Sequence, residues 1–168
     1  MLTINLIAVV LLTKVTCSYS GVEDRIRMSA LQKDGEPVVF WLTQRLSCQL
    51  VHALTGYLER SVSLSSMVDP GLLLSCKQRD AEWKHEPSEP VNYSAASNWI
   101  LLDKVDMSFS EGHAFLVFPF GDGKGAQLQM SLEELRQWLG IMYRQFTHAG
   151  WSMEVWPGWF AYAEPGRN

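Results

Sequence analysis

The feature that most constrains the fold is an internal repeat with an offset of 88 positions. An Asp-Gly turn, a short apolar strand, a hydroxyl residue suited to cap a helix and an amphipathic helix occur twice in this order. The turn at 34–35 precedes Thr43, and the turn at 122–123 precedes Ser131. Repetition at a fixed offset constrains the whole architecture. It predicts an α+β fold of tandem β-β-β-α halves, with an antiparallel sheet and two helices packed on one face. Two separate three-stranded sheets are the alternative.

The chain of 168 residues has the length of one domain, and its 47% of hydrophobic residues are enough to form a core. We divide the single domain, 1–168, into two similar halves at about 1–60 and 98–150. A long connection, 61–97, is rich in Ser, Pro and charged residues, and its Leu72-Leu73-Leu74 cluster is expected to dock or to form a short helix. An aromatic C-terminal tail, 151–168, follows the second half.

The first half begins with a short apolar run, Thr3–Leu12, which predicts a buried strand. Alternation of apolar and polar residues predicts a second strand at Glu23–Leu31, and a third follows the turn at Pro37–Leu42. Thr43 then caps a helix that continues to about Arg60. Leucine at every fourth position gives that helix one apolar face.

The second half repeats this plan, with strands predicted at Trp99–Phe109, His113–Phe120 and Ala126–Met130. In the first of these strands the odd-numbered apolar residues share one face. Ser131 and Glu134 have the spacing of a capping box at the start of the last helix.

The sheet is predicted to have a second apolar face on the side away from the helices. Alternation directs Val39 and Trp41 of the third strand and Phe115 and Val117 of the fifth strand to this face. Contiguous apolar surface usually marks a contact site. The connection, the aromatic tail or another chain is therefore expected to cover it.

The aromatic tail is the second candidate for a contact surface. It contains Trp151, Trp156, Trp159 and Phe160, and Trp is enriched where proteins bind one another. The alternative is that these side chains anchor the C-terminal segment in the core.

Candidates for catalysis or metal binding are few. Asp103 falls on the apolar face of the fourth strand, which indicates a bulge, a strand edge or a buried acid. His113 begins the next strand. Cys48 and His52 lie one turn apart on the first helix, but a metal site needs three or four ligands and no matching pair is visible. The Gly-rich turn at 121–125 lacks the spacing of a phosphate loop. No metal and no cofactor are expected.

Charge and cysteine content restrict the partners and the compartment. A formal net charge of −4 without a basic stripe argues against nucleic acid as a partner. Three cysteines without a CxxC pair indicate a reducing compartment. The apolar run Ile4–Leu12 is too short to cross a membrane and follows no positive charge. We therefore expect a cytoplasmic protein with no membrane partner; export with Cys17 as a lipid attachment site is the alternative.

Together these observations predict a non-enzymatic binding or assembly protein that acts through the second sheet face and the Trp-rich tail, as a homodimer or as a subunit of a complex. A small-ligand binder or enzyme with a cleft between the two halves, lined by Asp103 or His113, is one alternative. An exported or lipid-anchored protein is the other.

Overall fold

The computed structural model describes residues 8–62 and 67–161, which form one seven-stranded sheet with its helices. The strands are β1 (Ala8–Ser20), β2 (Arg25–Gln32), β3 (Pro37–Leu42), β4 (Asn98–Leu101), β5 (Asp106–Ser110), β6 (His113–Pro119) and β7 (Lys124–Ser131). The helices are α1 (Gln44–Arg60), α2 (Pro70–Trp83), α3 (Leu132–Ala149) and a single turn, α4 (Gly158–Ala161). The chain is of the α+β class.

The sheet has the strand order β4-β3-β2-β1-β7-β6-β5 and is mixed. The pairs β1–β7 and β3–β4 are parallel, and the other neighbours are antiparallel. The expectation of a purely antiparallel sheet is therefore wrong, as is the alternative of two separate sheets. The physical reason for the β3–β4 pair is its connection, because a crossover that contains helices α1 and α2 lets two strands run in the same direction.

Strand β1 joins the two parts of the sheet. Its residues 8–11 pair with β7, and the residues from Leu12 onward pair with β2. A register shift between Leu12 and Lys14 changes which alternate residues face the core, so that Leu12 is buried before the shift and Cys17 after it. The strand predicted at Thr3–Leu12 thus continues to Ser20, while residues 1–7 lie outside the described part of the chain.

The strand predicted at Trp99–Phe109 is divided into β4 and β5, which lie at opposite edges of the sheet. The division falls at Leu102, whose side chain is buried and whose backbone N–H donates to the Trp41 carbonyl at 3.1 Å. Consequently Trp99 pairs beside Val39, on the side of the sheet away from the helices. Phe109 instead packs against the core.

The short link between β4 and β5 requires the sheet to be strongly curved. In a flat sheet the two edges would be about 29 Å apart, at about 4.8 Å for each strand spacing. The five residue steps from Leu101 to Asp106 span at most about 18 Å. The edges must therefore approach each other, which gives the sheet a concave side and a convex side.

The core fills the concave side. Phe40 of β3 and Phe118 of β6 lie four strands apart in the sheet order, yet their rings stack with centroids 5.3 Å apart. Helices α1 and α3 bury their apolar faces in the same cluster, and Tyr57 of α1 stacks on Phe109 at the β5 edge at 3.9 Å. Helices α1 and α3 thus pack on the concave side of the sheet.

Capping residues begin and end these helices at the predicted positions. Thr43 accepts a hydrogen bond from the Leu46 backbone N–H at 3.2 Å. Ser131 and Glu134 form the reciprocal capping box of α3. Gly150 follows α3 with a φ of +67°, a left-handed conformation that favours glycine.

The connection 61–97 contains helix α2, which is longer than the short helix expected there. Asp69 caps it, and Pro70 occupies its first turn. The backbone N–H that proline lacks would have no partner within the helix at this position. Its contact with α3 is partly polar: the buried Gln78 amide donates to the Arg136 carbonyl at 2.7 Å. The apolar periodicity of α2 is correspondingly weak, which is why the sequence pattern did not predict its full length.

We predict that Phe40→Ala lowers the free energy of unfolding by about 3–5 kcal/mol, because it removes a fully buried ring that joins distant strands. Urea denaturation followed by circular dichroism measures the change. Val22→Ala, at a side chain that is 96% exposed, is the control and is expected to change it by less than about 0.5 kcal/mol. A loss below about 1 kcal/mol for Phe40→Ala would contradict the described core.

Candidate protein-binding face

The outer face is the convex side of the sheet, opposite α1 and α3. Adjacent residues on it follow from the strand register: Val117 of β6 lies beside Gln127 of β7, and Gln127 lies beside Leu11 of β1. Further along the sheet, Arg27 of β2 lies beside Trp41 of β3. The face therefore mixes apolar and polar side chains, and its apolar members are concentrated in two areas.

A segment that we call the strap, residues 84–97, covers part of this face between α2 and β4. The buried Val91 donates its backbone N–H to Thr16 Oγ1 at 3.0 Å, which fixes the strap over β1. Farther along, the Arg27 guanidinium lies over the Tyr93 ring at 4.8 Å. Ser29 and Val39 are buried in this region. Intramolecular cover by the connection, one of the three expected possibilities, thus accounts for Val39.

The first apolar area, the edge cluster, consists of Trp41, Tyr93, Trp99 and Leu101. Trp41 stacks on Trp99 with centroids 5.7 Å apart, and Tyr93 meets Trp99 edge-on at 5.4 Å. Tyr93, Trp99 and Leu101 are 37%, 38% and 54% exposed. Beyond β4 no further strand pairs with the sheet in residues 8–62 and 67–161, so the cluster lies at an edge whose backbone groups remain available.

The second apolar area, the open strip, consists of Val9, Leu11, Phe115 and Val117. Val9 and Leu11 are 41% and 45% exposed, and Phe115 and Val117 are half-buried. Polar neighbours on β5 and β7 border this strip, among them Asp106 beside Val117 and Gln129 beside Phe115.

The four aromatic residues of the tail that the structure describes lie in the core. Trp151, Trp156, Trp159 and Phe160 are all buried, and Trp156 meets Phe146 of α3 edge-on at 5.4 Å. The tail packs on the helical side and does not cover the outer face. These four side chains offer little surface to a partner. They anchor the C-terminal segment in the core, which was the alternative interpretation.

Side-chain hydrogen bonds hold the tail in place. Asp24, in the turn after β1, accepts hydrogen bonds from the Trp151 indole N–H and the Tyr19 hydroxyl, both at 2.9 Å. These two donors hold the pKa of the Asp24 carboxyl below its ordinary value, and Asp24 in turn raises the pKa of Tyr19. The Trp159 indole donates to Glu59 Oε1 of α1 at 2.9 Å.

The two weak catalytic candidates are not brought together. Asp103 is exposed in the link before β5, so the interpretation as a buried acid on a strand face is wrong; it marks the break between two edge strands. His113 follows the other end of β5, and its Nδ1 lies 3.3 Å from the Glu111 carbonyl. Catalytic side chains that act together must lie within hydrogen-bond distance of each other. Asp103 and His113, at opposite ends of β5, do not.

Cys48 and His52 lie on α1, with Cys48 half-buried and His52 exposed. Within the described ranges, 8–62 and 67–161, no group of three or more metal-ligating side chains occurs. Cys17 is buried in the sheet, and burial raises the pKa of its thiol to about 12, although the Trp138 indole N–H opposes the rise.

Sequence reasoning missed Tyr93, Arg27 and Leu101 as members of the outer-face contacts. The alternation in β2 did direct Arg27 away from the helices, which is the one signal that was present. Tyr93 lies in the strap, where no periodicity indicates a face. Leu101 was predicted to lie on the same strand face as Phe109. The structure places these two residues in different strands, β4 and β5.

Searches against protein-family models, curated proteins and solved structures found no match for this chain. Over residues 8–62 and 67–161, none of the helices combines the length and apolar character needed to cross a membrane.

We predict that Asp24→Asn reduces the acid sensitivity of folding. Because the pKa of Asp24 is lowered in the folded state, its contribution to stability is present above the unfolded pKa of about 3.9 and is lost as the pH falls through the folded pKa. Urea denaturation from neutral to acid pH measures this. Asp34→Asn, in an exposed turn, is the control; equal acid profiles for wild type and Asp24→Asn would contradict the assignment.

We also predict that iodoacetamide labels the three cysteines in a fixed order. Exposed Cys76 reacts first and half-buried Cys48 more slowly, whereas Cys17 is not labelled until the chain is unfolded. At pH 8 a pKa of about 12 leaves only about one Cys17 thiol in 10⁴ ionised, and the site is closed to the reagent. Peptide mass spectrometry reads the order. Labelling of Cys17 at the rate of Cys76 would show that β1 is not buried as described.

Proposed function

We propose that this protein is a non-enzymatic binding and assembly protein that forms a homodimer through the edge cluster of its outer face. The observation that carries the proposal is the concentration of exposed apolar side chains. Of the ten large apolar side chains that are exposed in the described residues, five lie on the outer face: Val9, Leu11, Tyr93, Trp99 and Leu101. Three of them, Tyr93, Trp99 and Leu101, adjoin one another in the edge cluster, and contiguous exposed apolar surface marks contact sites.

The composition of the edge cluster supports a protein partner. Tyr and Trp are enriched at the centres of protein interfaces, where a large rigid ring is buried with little loss of conformational freedom. Trp99 is already oriented by its stack on Trp41 and by a hydrogen bond from its indole N–H to the Ser94 carbonyl at 3.2 Å. A partner therefore meets a preorganised surface, which lowers the entropy lost on binding.

The edge strand favours a second copy of the same chain as the partner. Two β4 strands related by a two-fold axis would pair edge to edge and place the two clusters side by side, since a two-fold contact uses the same patch on both subunits. Burying about 400 Å² of apolar surface contributes on the order of 10 kcal/mol. Association costs about 4–15 kcal/mol. The balance supports a dimer of moderate affinity.

The other predicted functions have less support. Asp103 and His113 lie at opposite ends of β5, which leaves an enzyme with a cleft between the halves without its proposed residues. Lipid attachment at Cys17 would require removal of the preceding residues. Those residues include the part of β1 that pairs with β7, the contact between the two parts of the sheet.

We further propose that the chain contains a repeat of two β-β-β-α units. Three consecutive antiparallel strands followed by a helix occur as β1–β3 with α1 and again as β5–β7 with α3. The offset of 88 positions places β2 on β6 and α1 on α3. The parallel β1–β7 contact then joins the first strand of one unit to the third strand of the other, which supports two units related by translation along the sheet.

Sedimentation velocity tests the homodimer. We expect the wild-type protein to change from monomer to dimer between about 1 and 100 µM, a range that corresponds to about 5–8 kcal/mol of association free energy. The double variant Trp99→Ser, Leu101→Ser is expected to stay monomeric, because it removes the apolar surface while the strap and β3 remain.

The matched control is Leu72→Ser, Trp83→Ser. It removes one Leu and one Trp that are 57% and 88% exposed on α2, away from the outer face. This control is expected to dimerise like the wild type. A monomeric wild type at about 100 µM, or dimerisation lost in the α2 control and kept in the edge variant, would overturn the proposed assembly.

A further inference from the structure

A small cleft lies between the ends of three helices, on the far side of the molecule from the outer face. Its volume is about 200 Å³. Ser61, just after α1, forms one wall; Lys77 and Asp80 of α2 form the second; Glu133 and Arg136 of α3 form the third. Each wall is part of a helix or its cap, so the cleft is a fixed feature of the described fold.

Arg136 is the unusual member of this cleft. The residue is 5% exposed, and its Nη1 is buried with no hydrogen-bond partner among residues 8–62 and 67–161. Its backbone carbonyl accepts a hydrogen bond from the Gln78 amide. Burial lowers the pKa of the Arg136 guanidinium. A buried charge without a partner is destabilising, which indicates that an anion completes the site.

The carboxylates that line the cleft are engaged elsewhere. Lys84 Nζ lies 2.8 Å from Asp80 Oδ2 and 3.2 Å from Glu133 Oε2, and so joins the two acids at the rim. Among the described residues neither acid forms an ion pair with Arg136. The lining carries two positive charges, Lys77 and Arg136, and two negative charges, Asp80 and Glu133. Lys84 lies outside the lining and pairs with both acids, which leaves the two lining cations without either carboxylate as an ion-pair partner among the described residues.

The backbone groups near the cleft are also engaged in hydrogen bonds of their own. At the end of α1 the carbonyls of Tyr57, Leu58 and Glu59 already accept hydrogen bonds from Ser61 and Val62. At the start of α3 the capping box engages the N–H groups of Ser131 and Glu134, and the Leu132 N–H donates to the Gly112 carbonyl. Among the described residues around the cleft, Arg136 Nη1 and Gln78 Oε1 are buried without a hydrogen-bond partner, and of the two only the guanidinium is a donor that an anion can satisfy.

We propose that this cleft binds the anionic group of a small molecule, a phosphate or a carboxylate, with Arg136 donating the direct hydrogen bonds and Lys77 adding a second positive charge. Planar guanidinium groups donate in pairs to both anion types. A volume of about 200 Å³ is below the roughly 300–1,000 Å³ of pockets that enclose whole drug-sized ligands. It suits one anionic group, with the remainder of the molecule outside.

Thermal unfolding of the full chain tests the proposal, with inorganic phosphate and succinate as separate probes and sodium chloride at matched ionic strength as reference. One probe is expected to raise the Tm saturably, by about 5 °C at 100 times its Kd, while chloride has no saturable effect. Phosphate alone would assign a phosphate ester, and succinate alone a carboxylate. No saturable shift with either probe would overturn the proposal.

Variants test whether the anion-dependent rise in Tm comes from binding at the cleft. Arg136→Met is expected to abolish the shift and to unfold at an equal or higher Tm than the wild type without anion, because a buried unpaired charge is removed. Arg144→Met, at an exposed position of the same helix, is the matched control and keeps the full shift. Should Arg136→Met fail to fold, exposed Lys77→Met is expected to weaken the apparent Kd at least about tenfold. An unchanged response in both cleft variants would contradict the assignment.

Discussion

The structure depends on the link of five residue steps between Leu101 and Asp106, which ties together the two edges of a seven-stranded sheet. A flat sheet of that width cannot be closed by so short a segment, so the sheet must curve around its core. The curvature brings Phe40 and Phe118 into contact across four strand spacings and lets α1 reach both β2 and the β5 edge. The long strand β1 joins the two parts of this sheet, because it pairs with β7 along its first residues and with β2 along its remainder.

Because the sheet is curved, its concave and convex faces have different surroundings. The concave side is filled by α1, α3 and the aromatic tail, and the tail is secured by indole hydrogen bonds to Asp24 and Glu59. On the convex side the strap covers Val39 but leaves the edge cluster and the open strip partly exposed. The surface proposed to bind a second copy of the chain therefore lies on the convex side, whereas the buried charge of Arg136 lies among the helices on the other side. The two proposed sites are independent in position and in the chemistry that they recognise.

Local signals in the sequence predicted the elements that local interactions define. The third strand, Pro37–Leu42, and the first helix agree closely with the structure, because the turn, the Thr43 cap and the leucine face are all encoded within a few residues. The division of β4 from β5 depends on closure of the whole sheet, which no local pattern reports. Helix α2 was underestimated because two of its four buried residues, Ser75 and Gln78, are polar. Because α2 forms one wall of the cleft, the burial of Arg136 beside that cleft could not be predicted without predicting α2.

Nuclear Overhauser spectroscopy on protein with labelled phenylalanine tests the curvature most directly. Ring centroids 5.3 Å apart place the Phe40 and Phe118 protons well within range of each other, and we expect strong cross-peaks between the two rings. In a flat sheet the backbones of β3 and β6 would be about 19 Å apart, and no cross-peak would form. Absence of that cross-peak, with both rings assigned and Phe118 in contact with its β7 neighbours, would contradict the curved sheet and the two faces that follow from it.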